Sequence, residues 1–118
     1  LVKSIAKDIF DPRLVEYFQA QYAVQMQYKG FTRAILSTIR NGLLEAFTDV
    51  YAALGKMDLP TLLFWGRNDN TVPFEHSQIL RTAMPAVQFH IVEECGHIPH
   101  YEKPDVVNPI LLDFLRKT

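Results

Sequence analysis

Two short segments carry the polar side chains whose types and spacing could do chemistry. Asp69 ends the segment LLFWGRND, and His97 lies in the segment ECGHIPH. A carboxylate that orients a histidine, which in turn takes a proton from a nucleophile, is the arrangement of a hydrolytic triad. The chain offers no matching nucleophile, because none of its serines lies in a Gly-x-Ser-x-Gly turn: Ser4, Ser37 and Ser77. We therefore predict that the chain is the C-terminal part of a longer enzyme.

The composition is that of a folded piece of one domain. The 118 residues suffice for one modest core, and 48% hydrophobic with 21% charged content is ordinary for a globular protein. The formal net charge of −1, with no stretch dense in Lys or Arg, gives no electrostatic basis for binding nucleic acid. No apolar run approaches the roughly 20 residues of a membrane span. The single cysteine, Cys95, excludes an internal disulfide, so we expect a reducing, cytoplasmic location.

Residues 1–57 have the pattern of helices. Asp11 followed by Pro12 is typical of a helix start, since Asp caps free N–H groups and Pro has none to lose. Apolar residues then recur at three- and four-residue steps until Gly30 ends the first helix. A second helix is predicted over residues 32–40 and a third, weaker one over residues 43–54.

Beyond Pro60 the pattern changes to strands that alternate with helices. Residues 61–65 form a continuous apolar run, which predicts a strand buried on both faces of a parallel sheet, and residues 87–92 predict a second strand. Helices are predicted over residues 74–84 and from Pro104 onward. Pro109 is expected to kink that last helix or to delay its start, because its ring clashes with a preceding carbonyl.

The order strand–helix–strand–helix brings the two candidate residues together. Right-handed crossovers make the two strands parallel, so the loops that follow them lie at the same edge of the sheet. Ligands and catalytic groups of open α/β sheets gather at that edge. Asp69 and His97 are 28 positions apart in the chain, yet we expect them to meet there as a hydrogen-bonded acid–histidine pair.

The same segments resemble a known family. Residues 60–69 (PTLLFWGRND) with Val72-Pro73, and GHIP at residues 96–99 with Glu102, are similar to the C-terminal signature of the α/β-hydrolase fold superfamily. The resemblance covers residues 58–118 closely, as the C-terminal part of an α/β-hydrolase core with two parallel strands and flanking helices. Residues 1–57 resemble, more loosely, the end of the helical cap that these enzymes insert before the acid-bearing strand.

The resemblance also implies roles. Asp69 would be the triad acid and His97 the general base, while the nucleophile precedes both in the family's chain order. It implies a small-molecule substrate and neither a metal nor an organic cofactor. It does not separate esterases, carbon–carbon bond hydrolases, epoxide hydrolases, dehalogenases and acyltransferases, because the nucleophile and most of the pocket would lie upstream.

Several nearby residues have competing interpretations. Glu102 is expected to bond loop amides near the last helix rather than to act in catalysis. Cys95, His97 and His100 form a Cys-x-His-x-x-His spacing, but a metal site is disfavoured because no second Cys/His cluster accompanies it. Cys95 is expected to be a packing residue rather than a nucleophile. Aromatic and large apolar residues of the first half could line a substrate pocket, although packing is favoured: Tyr17, Phe18, Tyr22, Met26 and Phe31.

The sequence thus predicts part of an α/β-hydrolase-fold enzyme that is inactive by itself. An isolated two-stranded piece would leave one edge of its sheet unpaired, and we expect such a chain to self-associate. The alternative is a non-catalytic binding or interaction module that kept the fold. A third possibility, an intact small enzyme using Ser77 or Cys95, is disfavoured because neither lies on a strand-to-helix elbow.

Overall fold

The computed structural model describes residues 5–43 and 47–117. A 3₁₀ turn at Ile5–Asp8 precedes α1, which Asp11 caps by accepting a hydrogen bond from the backbone N–H of Arg13 at 2.9 Å. The elements of the first half are α1 (Pro12–Met26), α2 (Phe31–Thr38), a π-helical turn (Ile39–Leu43) and α3 (Thr48–Gly55). The predicted start of the first helix at Pro12 is confirmed, whereas its predicted end at Gly30 is wrong, since α1 ends at Met26.

The second and third predicted helices differ from the structure at their boundaries. The chain leaves the α-helix at Thr38, and Gly42 has a φ of 98°, a conformation that ends helices and suits glycine. The next helix begins at Thr48 rather than residue 43, and residues 44–46 of that prediction lie outside the described part of the chain. The second α-helix therefore ends at Thr38 rather than at residue 40, helical geometry is lost at the predicted Asn41-Gly42, and the third helix is shorter than predicted.

The second half has the predicted order of strands and helices. The elements are β1 (Leu62–Gly66), a 3₁₀ turn (Phe74–His76), α4 (Ser77–Ala83), β2 (Gln88–Val92), α5 (Pro99–Glu102) and α6 (Pro104–Lys117). The last helix begins at Pro104 with Pro109 inside it, so the delayed start that Pro109 suggested is wrong. The short helix α5 was not predicted.

The two strands pair in parallel, as expected. Leu62 lies opposite Gln88 and Gly66 opposite Val92, so both strands end at the same level. In the described residues the buried apolar core is small: Ile9, Met84, Val92, Cys95 and Val107. Leu62 to Trp65 are only half-buried, which corrects the expectation of a strand buried on both faces.

Many large apolar side chains remain at the surface of the described residues. Leu59 is 53% exposed, Leu112 52% and Leu115 59%. Self-association over such surfaces stays a prediction. Within residues 5–43 and 47–117, no helix combines the length and apolar character needed to cross a membrane.

Candidate active site

Asp69 lies in the loop after β1 and is held in place by its own backbone neighbours. Its Oδ1 atom accepts hydrogen bonds from the N–H groups of Thr71 at 2.9 Å and Val72 at 2.8 Å. This is the turn geometry that short acidic side chains favour. The side chain is only 5% exposed. One carboxylate oxygen is thereby occupied by the loop, and the other is left for a partner from elsewhere in the fold.

That partner is His97. Its Nδ1 atom lies 2.8 Å from Oδ2 of Asp69, so the structure brings together the two residues that the sequence singled out. An ionised carboxylate can only accept hydrogen bonds, and Nδ1 therefore carries the proton and donates it. The second ring nitrogen, Nε2, is then the proton acceptor. The His97 side chain is 40% exposed, which leaves the ring accessible beside a buried carboxylate.

Close backbone contacts beyond the strands hold the two loops side by side. The N–H of Arg67 donates to the carbonyl of Val92 at 2.9 Å, and that of Asn68 donates to the carbonyl of Cys95 at 2.9 Å. At Gly66 the two segments approach so closely that an added Cβ would lie 1.9 Å from the carbonyl oxygen of Gly96. Glycine at position 66 therefore allows the acid loop and the histidine loop to meet.

The segment before α1 supports both loops, which sequence reasoning missed. The Asp8 carbonyl accepts a hydrogen bond from the backbone N–H of His97 at 2.7 Å. The Asp8 carboxylate accepts another from the hydroxyl of Thr71, two residues after Asp69. These contacts join residues that are at least 63 positions apart in the chain. They leave no local sequence pattern from which the role of Asp8 could have been predicted.

The pair opens onto a cavity of about 580 Å³. Asp69 and His97 line it together with aromatic and apolar side chains from α3, β1 and α4, which include Phe47, Tyr51, Phe64, Trp65, Ile79 and Leu80. The contribution of α3 was not predicted. Mostly apolar walls around a few polar groups are typical of small-molecule sites.

The aromatic residues of α1 pack rather than line this cavity. The Phe18 ring lies 5.1 Å from the Tyr101 ring, between centroids, and the Tyr22 ring lies 5.6 Å from that of Phe31. Tyr17, by contrast, is 62% exposed. Of the two interpretations that the sequence left open, the favoured one, a face that packs the first half against the core, describes Phe18, whereas Tyr22 contacts Phe31 within the first half.

Cys95 is buried, and its thiol is unreactive near neutral pH. It is fully shielded from solvent, and this burial, together with the nearby Glu102 carboxylate, raises the pKa of its thiol to about 12. A thiol with such a pKa supplies almost no thiolate near neutral pH, and the thiolate is the nucleophilic form. The packing role expected for Cys95 fits this environment.

The remaining candidates do not assemble around His97. His100 is exposed, and in the described ranges no cluster of three or more His, Cys, Asp or Glu side chains could hold a metal ion. Ser77 is buried at the start of α4, Ser37 is exposed, and Ser4 lies outside the described residues. Glu102 is buried and, as expected, accepts a hydrogen bond from a loop amide, that of Gly96 in the histidine loop. It also accepts two from the N–H groups of Phe10 and Asp11 before α1, which were not expected.

Comparison with known proteins agrees with this geometry. Residues 9–104 match the family described as the alpha/beta hydrolase fold, which covers most of the chain. A 2-hydroxy-6-oxo-6-phenylhexa-2,4-dienoate hydrolase of Burkholderia cepacia is 36% identical over 110 residues, covering 91% of this chain and 38% of that protein. A 2-hydroxy-6-oxononadienedioate/2-hydroxy-6-oxononatrienedioate hydrolase of Dechloromonas aromatica is 32% identical, covering 98% of this chain and 40% of that protein.

Solved structures share the fold. The 2-hydroxy-6-oxo-6-phenylhexa-2,4-dienoate hydrolase of Rhodococcus sp. strain RHA1 superposes with a TM-score of 0.76 at 21% identity, over 98% of this chain and 43% of that one. The chain thus spans about two fifths of the length of the proteins it matches. Because residues 9–104 match the family and the structure superposes on a solved member of the same fold, the chain belongs to the α/β-hydrolase fold family.

Proposed function

We propose that the whole protein is a hydrolase in which Asp69 is the acid and His97 the general base of a nucleophile–His–Asp triad. The observation that carries this proposal is the 2.8 Å contact between His97 Nδ1 and Asp69 Oδ2 at the wall of the cavity. In residues 5–43 and 47–117, neither serine nor cysteine lines the cavity beside His97, and we propose that the nucleophile belongs to a part of the whole protein outside these 118 residues.

The geometry gives each residue a defined task. Asp69 accepts a hydrogen bond from the Nδ1–H group of His97, which fixes the tautomer in which Nε2 is unprotonated. Nε2 then takes the proton of the attacking nucleophile and gives it to the leaving group as the scissile bond breaks, which leaves the acyl group on the nucleophile. In the second half of the cycle Nε2 takes a proton from the water that attacks this acyl group, and returns it to the nucleophile as the acyl–enzyme bond breaks. Asp69 also stabilises the imidazolium that forms between these steps.

The proposed substrates are 2-hydroxy-6-oxodienoates, split by hydrolysis of the carbon–carbon bond next to the 6-oxo group. Two observations support this class. The relatives from Burkholderia cepacia and Dechloromonas aromatica carry names of hydrolases of such acids. The cavity wall presents Phe47, Tyr51, Phe64 and Trp65, whose flat apolar faces suit a planar conjugated chain.

Residues 1–57 are proposed to be the end of a cap and residues 58–118 the C-terminal part of the catalytic core. Phe47, Thr48 and Tyr51 of the first segment line the same cavity as Asp69 and His97 of the second. In this arrangement the first segment shapes the binding pocket and the second carries the acid and the base.

The substrate class is tested with the whole protein on two compounds. We expect 2-hydroxy-6-oxo-6-phenylhexa-2,4-dienoate to be hydrolysed with a higher kcat/KM than a 4-nitrophenyl ester, measured by loss of the dienoate absorbance and by nitrophenolate release. Hydrolysis of the ester alone would reject the carbon–carbon assignment and keep the hydrolase. Turnover of neither compound would favour a non-catalytic module.

A further inference from the structure

Glu102 is a buried carboxylate that the proposed triad does not use. It ends α5, its residue is 8% exposed, and among residues 5–43 and 47–117 no Lys or Arg forms an ion pair with it. A buried carboxylate without a cation must be stabilised by hydrogen bonds, since burial otherwise disfavours the charge. The hydrogen-bond partners of Glu102 therefore indicate its role.

The two oxygens of Glu102 bind different parts of the chain. Oε1 accepts a hydrogen bond from the backbone N–H of Gly96 at 2.7 Å. Oε2 accepts two more, from the N–H groups of Phe10 at 2.6 Å and Asp11 at 3.1 Å. One side chain thus joins the histidine loop to Phe10 and Asp11, which lie 85 or more positions from Gly96 in the chain.

Long-range hydrogen bonds hold the two backbone N–H groups that directly precede the His97 side chain in the chain. The N–H of Gly96 is held by Glu102, and the N–H of His97 is held by the Asp8 carbonyl at 2.7 Å. The contact is so close that a Cβ at Gly96 would lie 2.4 Å from that carbonyl oxygen and 2.9 Å from Oε1 of Glu102. The direction of the His97 side chain depends on these two peptide groups.

We propose that Glu102 is a positioning residue for His97: by joining Gly96 to Phe10 and Asp11 through hydrogen bonds, it holds the imidazole in line with Asp69. The proposal rests on the proposed function of His97 as the base. Hydrogen bonds to an ionised acceptor are stronger than neutral ones, and loss of this acceptor leaves three amide donors unsatisfied. We then expect the histidine loop to become more mobile, so that the hydrogen bond between His97 Nδ1 and Asp69 is broken for part of the time.

The test compares Glu102→Gln and Glu102→Ala with Glu94→Gln in the whole protein. Gln has nearly the same shape as Glu, but its NH₂ group must face backbone N–H donors on one side. The hydrogen bonds on that side are then lost. Glu94 is a matched control from the same loop, because its side chain is 77% exposed. Misplacing a catalytic group by about 1 Å can cost roughly 10²-fold in rate.

Two readouts are expected to change together. In Glu102→Gln, kcat falls between about 10-fold and 10²-fold with KM nearly unchanged, and the downfield NMR signal of the His97 Nδ1 proton weakens. Glu102→Ala shows the larger loss, and Glu94→Gln leaves both readouts at the level of the unchanged protein. Near-UV circular dichroism of Glu102→Gln checks that the fold is kept.

The outcomes separate this proposal from the function on which it rests. A Glu102→Gln protein that keeps both kcat and the Nδ1 signal overturns it, and so does one that loses only stability. If the whole protein proves to have no hydrolase activity, the proposed function fails. The Nδ1 signal then still decides whether Glu102 positions His97.

Discussion

Replacement of Asp69 by Asn is expected to lower kcat of the whole protein by about 10⁴-fold without unfolding it. Oδ1 of Asp69 accepts from two backbone N–H groups, so the Asn carbonyl oxygen must take that place and its NH₂ group must face His97. The NH₂ group donates to Nδ1, which forces the proton of the neutral imidazole onto Nε2. The ring nitrogen that should accept a proton is then already protonated.

Asp58→Asn is the matched control for this prediction. Asp58 is exposed and has a φ of 50°, a conformation that Asn tolerates well. We expect this variant to keep the kcat of the unchanged protein in a steady-state assay of the same substrate. An Asp69→Asn protein that retains kcat within a factor of about ten would contradict the role of the carboxylate in fixing the tautomer.

Replacement of Gly66 by Ala is expected to reduce the free energy of unfolding by about 3 kcal/mol. The added Cβ would lie 1.9 Å from the carbonyl oxygen of Gly96 and 2.5 Å from that of Cys95. Both are backbone atoms, so the histidine loop must move away from the end of β1. The change is measured by urea unfolding of the whole protein, followed by circular dichroism.

Gly30→Ala provides the comparison. Gly30 has a φ of 89° but no neighbouring atom within 4 Å of an added Cβ. Its replacement therefore introduces backbone strain alone, about 1 kcal/mol. Equal losses of stability in the two variants would show that the close contact at Gly66 does not cause the large loss predicted for Gly66→Ala. A larger loss for Gly66→Ala supports the contact.

The sequence predicted the strands well because their signals are local. The apolar run that ends at Gly66 and the strand that ends at Val92 are each bounded by turn-forming residues, and parallel pairing follows from the helix between them. Helix boundaries around Thr38 and Thr48 were less predictable. There the left-handed glycine at position 42 permits a π-helical turn that periodicity does not reveal.

The acid–histidine pair was also predictable, whereas most of its support was not. Asp69 and His97 follow the ends of two adjacent parallel strands, so topology alone puts them close together. A bond from Glu102 to a loop amide was expected, but its bonds to Phe10 and Asp11 and the bond of the Asp8 carbonyl to His97 join residues far apart in the sequence. Backbone contacts of this kind do not depend on a recognisable side-chain pattern, and only the folded structure reveals them.

The most direct test of the account is hydrolysis of an activated aryl ester by the whole protein and by the 118-residue chain, each beside its His97→Ala variant. We predict turnover by the whole protein, a fall in kcat of about 10⁶-fold on removal of His97, and no turnover by the chain alone. Turnover by the chain that is abolished in its His97→Ala variant would contradict the account. These residues would then hold, or assemble between copies, a complete catalytic site.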